Sequence, residues 1–131
     1  LVWPVEGEVI LPFSMDTTVY FKTLRSYRCN PGILIAAEEG ENVLAAYEGV
    51  VESVSEDKEH GTTVTVIMGN GYKAIYGQLM NVTVAEGDTI TTAQNIGEAA
   101  APSSYYTEEG THVFFELMKN GVPINPIILM Q

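Results

Sequence analysis

The stretch that most constrains this chain is Thr62 to Leu79, TTVTVIMGNGYKAIYGQL. Thr62 to Met68 opens with threonine alternating with valine or isoleucine, as a half-buried strand requires. Gly69-Asn70-Gly71 follows, and these residues tolerate the positive φ of a tight hairpin turn. Tyr72 to Leu79 is the return strand. The pattern predicts a hairpin at the centre of a β fold.

The rest of the chain is punctuated in the same way. Asn30 to Ala37 opens on a turn and becomes a buried strand. Val43–Tyr47, Val50–Ser55, a short piece at Asn81–Val84 and Thr89–Thr92 follow, separated by glycine-containing turns. Asp57 to Gly61 is a charged loop carrying His60. Ala99 to Gly110 is a long Pro/Ser/Tyr loop. In Gly110–Gly121, GTHVFFELMKNG, residues Thr111, Val113, Phe115 and Leu117 face a core, and His112, Phe114 and Glu116 face the other way. Asp16–Arg28 fits neither helical nor strand period and is expected to be a loop with a helical turn. Asn125-Pro126 is expected to end the ordered domain. Short strands with no convincing helix imply an all-β sandwich or barrel.

The 131 residues suffice for one domain with a core, and 46% apolar content excludes a disordered tail. No apolar run approaches the ~20 residues of a membrane-spanning helix. The chain opens at Leu1, so an upstream anchor or export signal is expected ahead of it. The formal net charge of −11 disfavours nucleic acid, which calls for basic clusters, and the six Lys and Arg look scattered. It suits a basic protein partner. Cys29 is the only cysteine, which excludes an internal disulfide. Its role as buried hydrophobe or nucleophile stays open. Asn81-Val82-Thr83 matches a glycosylation sequon, a pattern common by chance.

Five segments in order resemble the LytM/lysostaphin-type zinc metallopeptidase domain. The opening WPVEG is the first. NPGILIAAEEGENVLAAYEGVV resembles the family's His-x-Gly-x-Asp-Ile-Ala-Ala and the segments after it. TTVTVIMGNGYKAIYGQL resembles the hairpin ending in Tyr-x-His-Leu. VAEGDTITTAQNIGEA resembles a glycine-spaced segment, with Gln94 where a glycine is usual. GTHVFFELMKNGVPINP resembles Gly-x-His-x-His-Phe-Glu and its continuation. The resemblance implies an antiparallel β-sandwich, a barrel-sandwich hybrid with a duplicated motif. Residues 1–131 would form one domain, with a lead-in segment and loop over 1–29 and a core over 30–126.

The resemblance also places the zinc ligands, and the chain departs from it there. The first His ligand falls on Asn30, the Asp on Leu34 and the second His of His-x-His on Phe114. The catalytic His of Tyr-x-His-Leu falls on Gln78, and only His112 is retained. A catalytic zinc takes about three N, O or S ligands plus a water. The expectation is therefore no metal, no cofactor and no catalytic residue. Asn30, Leu34, Tyr76, Gln78, His112 and Phe114 would line a groove remade for binding. His112 could equally be a leftover histidine bonded to backbone, and Phe114 could simply fill the cavity. Degenerate members of the family resembled act as envelope scaffolds, as amidase activators or in the engulfment machinery of spore formers. The expected role is thus extracytoplasmic binding, scaffolding or regulation, with a protein or peptide partner or peptidoglycan. Two alternatives stand beside it. One is a hydrolase with a non-standard metal site recruiting Glu116 or His60. The other is a biotinyl or lipoyl carrier modified at Lys119.

Overall fold

The computed structural model describes all 131 residues, and β-strands dominate it. Twelve strands form one ten-stranded sheet and one two-stranded sheet, and every strand pair is antiparallel. The path of the large sheet starts from β1 (Val9–Leu11), β4 (Ile33–Ala36) and β11 (His112–Lys119). It continues through β8 (Tyr72–Met80), β7 (Gly61–Gly69) and β6 (Gly49–Asp57) to β9 (Thr89–Ile90). Off this path β10 (Asn95–Ala99) pairs with β8 and with β5 (Asn42–Leu44), and β12 (Val122–Ile124) pairs with β11. The central hairpin forms as its sequence dictates. Asn70 and Gly71 have φ of 53° and 83°, the positive pair a two-residue hairpin turn needs.

Alternation sorts the side chains of β11 onto two faces. Val113, Phe115 and Leu117 enter the main core with Ile33, Ile35, Val64, Val66, Ala74 and Tyr76. Phe114, between them, joins a smaller cluster of Leu11, Phe21, Leu34 and Tyr106 on the opposite face. Burial on both faces explains why β4 and β11 read as nearly continuous apolar runs.

Several segments differ from the sequence reading. Asp16–Arg28 is not a loop with a helical turn. Ser14–Phe21 (β2) and Ser26–Asn30 (β3) form a hairpin with Tyr20 opposite Tyr27 and Phe21 opposite Ser26. The register breaks between Ser14 and Val19, and that irregularity hides the two-residue period. The hairpin also carries Lys22, Arg25 and Arg28, three of the six basic residues, so these are less scattered than their sequence positions suggest. Val43–Tyr47 is a strand only to Leu44. Beyond it Ala45 and Ala46 are fully buried, and their amides bond to Gln94 O (2.8 Å) and the Tyr76 hydroxyl (2.9 Å). Asn81–Val84 forms no strand, since Asn81 takes a φ of 50°. Order does not end at Asn125-Pro126. Pro126–Leu129 forms a 3-10 turn, and the last residue lies against the first, with Gln131 N bonded to Leu1 O and the Trp3 indole to Gln131 O.

Candidate functional site

The adjacent strands β4, β11 and β8 carry Leu34, His112, Phe114 and Gln78, and Asn30 lies just ahead of β4. Phe114 stands directly between Leu34 on β4 and Gly77 on β8. Asn30 ends β3 and bonds through Nδ2 to Pro12 O (3.0 Å). Gln78 follows Gly77 with a φ of 63°. Its backbone N–H bonds to His60 O (2.5 Å) and its side-chain Nε2 to Glu59 O (2.9 Å). His112 opens β11, two residues before Phe114. Tyr76 is the remaining residue singled out in the sequence. Its ring lies in the main core against Phe115, and its hydroxyl accepts from Ala46 N–H. Strand alternation puts it on the face away from Phe114. Burial in that core pushes its hydroxyl well above the usual tyrosine range.

No open groove is lined by these six side chains, since none is more than 2% exposed. The space is filled by a plug. The turn between β6 and β7 folds over the sheet, and the His60 ring stacks on Phe114 with centroids 3.8 Å apart and planes 17° from parallel. Gly77 makes room for this. A Cβ there would stand 3.1 Å from His60 Cβ and 3.2 Å from Phe114 Cβ. Tyr106, from the long loop, covers the other side, stacked on His60 at 5.8 Å and edge-on to His112 at 5.0 Å.

Glu59 ties the plug together. It accepts from the Tyr106 hydroxyl (2.5 Å) and faces the Arg28 guanidinium at 3.8 Å. Its backbone carbonyl accepts from Ser103 Oγ (2.7 Å) and from Gln78. Burial, and then the bond to Glu59, raise the Tyr106 hydroxyl far above its ordinary range. Arg28 lies over Phe21 within the β2–β3 hairpin, 5.2 Å from the ring centre, and its pair with Glu59 ties that hairpin to the plug. Sequence reasoning missed Glu59, Tyr106, Ser103, Phe21 and Arg28 as site residues. All five come from hairpins and loops that only the tertiary fold brings together, and no local spacing marks them.

Burial disfavours the charged form of both histidines. Burial lowers the His60 pKa below its ordinary value, with Glu59 and Asp57 opposing. Burial lowers that of His112 too, against the bond from its Nδ1 to Gly110 O (2.7 Å). With that nitrogen donating to a carbonyl, Nε2 is the bare acceptor. It is buried without a partner, as is His60 Nδ1.

These residues do not fit a zinc ion. Leu34 and Phe114 present only carbon, and both are packed in the small apolar cluster. The Asn30 amide is engaged with a backbone carbonyl, and an amide is a weak zinc donor beside imidazole, thiolate or carboxylate. No three His, Cys, Asp or Glu side chains stand close enough together to hold a metal. His60 does fold over the site, as an aromatic cover. Glu116 lies further along β11, opposite Ile75, with its carboxyl raised to about 7 by burial. Lys119 folds back onto Asn70 O and over the Tyr72 ring, unlike a lysine displayed for modification.

The sequence signature of Peptidase family M23 matches residues 28–126. The chain belongs to the M23 peptidase family. Stage II sporulation protein Q of Bacillus subtilis is 33% identical over 108 residues, covering 81% of this chain and 38% of that protein. The DD-carboxypeptidase/endopeptidase Mpg of Neisseria meningitidis is 29% identical over 104 residues, covering 79% of this chain and 23% of that protein. This M23 domain thus spans well under half the length of either. Among solved structures, the SpoIIQ–SpoIIIAH pore forming complex superposes with a TM-score of 0.81 at 27% identity, covering 95% of this chain and 84% of that one. The M23 framework is therefore present, with a packed aromatic plug where the resemblance places the metal.

Proposed function

We propose that this domain is a non-catalytic M23 member that works in the cell envelope by binding, scaffolding or regulating a protein assembly. The observation that carries the reading is the pair Leu34 and Phe114, packed together where the family's ligands fall. Without a metal, no group in the site lowers the pKa of water from ~15.7 toward ~7. Gln78, at the position of a proton-handling histidine, does not titrate. Likeness to stage II sporulation protein Q, and to its structure in complex with SpoIIIAH, supports a protein partner and a place outside the cytoplasm in sporulation machinery. No helix here is long and apolar enough to cross a membrane.

A second reading is supported by the likeness to a DD-carboxypeptidase/endopeptidase and by the buried, unpartnered Nε2 of His112. In that reading the domain hydrolyses peptidoglycan through a non-standard metal site. Elemental analysis after dialysis, paired with a cell-wall release assay, decides between them. The first reading expects no stoichiometric zinc and no release. About one zinc per chain with EDTA-sensitive cleavage would establish the second.

A further inference from the structure

Within the ten-stranded sheet, the outer edge of β6 is the longest open one. Of its nine residues, only the first three are covered on the outside. Gly49 and Val50 pair with β9, and Val51 exchanges backbone bonds with Asp88 O and Gly87 N–H, both 2.8 Å. From Ser53 to Asp57 the inner side pairs with β7, and the outer side pairs with nothing. Elsewhere the large sheet ends in strands of two or three residues, β1, β9 and β12. The remaining outer strand, β5, is covered by the lead-in segment, with Leu44 N bonded to Pro4 O.

Two further observations bear on what this edge takes. Val54 lies directly opposite the fully buried Val64, so it faces the core side, yet it is 38% exposed. One added strand would cover it. The flanking charge is mostly acidic. Glu56 and Asp57 lie exposed on the edge itself, Asp57 with one oxygen capping His60 N (2.6 Å), and Glu86 sits in the turn next to Val51. Asp88 caps Ala85 N, Glu52 is paired with Lys73 at 3.0 Å, and Lys58 beyond Asp57 is the one free cation. The register shift at Val51–Ser53 and these carboxylates disfavour pairing with a second acidic copy. The same carboxylates favour a basic strand.

We propose that Ser53–Asp57 is a strand-addition site for an extended, basic segment of a protein partner. Main-chain bonds would hold the segment, one of its apolar side chains would cover Val54, and its lysines or arginines would meet Glu56, Asp57 and Glu86. The site rests on the protein-partner reading above and adds to it where and how the partner docks.

The probe is a synthetic peptide of about eight residues alternating lysine with valine and threonine. Its controls are a peptide of equal charge interrupted by two prolines and a glutamate counterpart. Binding is followed by NMR on the isotopically labelled chain. The lysine peptide is expected to slow amide exchange within Ser53–Asp57 and to leave the other edges unchanged. The proline and glutamate peptides are expected to do neither. Glu56→Lys should weaken the lysine peptide by about two- to fivefold, the range of one exposed ion pair. Equal binding of the proline peptide would reduce the effect to charge attraction and overturn the site. Protection at another edge, or no binding, would overturn it too. Cell-wall cleavage by the purified chain would instead overturn the non-catalytic reading and leave the peptide result standing.

Discussion

Replacing Phe114 with alanine tests whether the plug is structural. The ring is 1% exposed and lies between Leu34 and Gly77, under the His60 imidazole at 3.8 Å. Truncating a buried phenylalanine costs about 3–5 kcal/mol, through lost transfer energy and the cavity left behind. Losing the stacked pair adds to this about 0.5–1.5 kcal/mol, the range for ring pairs. Relaxation of the His60 turn into the space offsets part of the loss, so about 4 kcal/mol is the expected total. With an m-value of about 2 kcal/mol/M, the urea midpoint should fall by about 2 M. The melting temperature should fall by about 12–16 °C, at roughly 3–4 °C per kcal/mol for a chain of this size. Exchange at the amides of residues 58–60 and 103–110 should rise by more than exchange in β7. A midpoint shift below about 0.5 M would refute the reasoning. It would mean that Phe114 contributes surface and not packing, and it would restore the binding groove expected from the sequence.

Three further outcomes follow from the same geometry. Gly77→Ala places a methyl 3.1 Å from His60 Cβ and 3.2 Å from Phe114 Cβ, so a loss of about 1–3 kcal/mol is expected in urea melts, with the His60 ring signals displaced. His60 and His112 have lowered folded-state pKa values, so below about 6.5 the unfolded chain binds more protons than the folded one. Their contribution is present above that pH and lost as pH falls through it; His112→Gln with His60→Gln should flatten urea stability measured between pH 7 and pH 5. Glu116 behaves in the opposite sense, because burial raises it from 4.5 to about 7. Its folded form is favoured at low pH and disfavoured as pH rises through about 7, so Glu116→Gln should raise the urea midpoint at pH 8 and change it little at pH 5.

The parts of this fold legible in the sequence are those with an unbroken local period. The β7–β8 hairpin combines strict alternation with an Asn-Gly turn, and both survive in the structure. The β2–β3 hairpin was not legible, because about four residues after Ser14 fall out of register before Val19 pairs again. The family's motifs picked out Leu34, Gln78, His112 and Phe114, which lie on three adjacent strands, β4, β11 and β8. Tyr76 was misplaced for want of one piece of information, the face of β8 that meets the core. Asp57-Lys58-Glu59-His60 looks solvated from its charges. In the structure Asp57 accepts from His60 N (2.6 Å) and the imidazole lies inward on Phe114. Charge content gives the average exposure of such a turn, not the direction of one side chain within it.

The substitutions at the site make physical sense only together. Removing metal donors from a closed strand face would leave polar groups unpaired around a void, and both are costly. Here Leu34 and Phe114 fill the volume, and Gly77 lets the His60 ring close over them. Gln78 spends its backbone and side-chain donors on the carbonyls of His60 and Glu59, which holds the cover down. Glu59 then gathers Tyr106, Ser103 and Arg28, fixing the long loop and the β2–β3 hairpin to the sheet. The residues at the M23 site positions thus supply tertiary order: the Asn30 and Gln78 amide nitrogens are spent on backbone carbonyls, and Nε2 of His112 is buried. In the reading proposed here, selection on this face acts through stability, and selection on function acts on surfaces outside it. Mutations in the plug should then reduce partner binding only in proportion to the folded fraction lost, whereas mutations along β6 should reduce it in a fully folded chain.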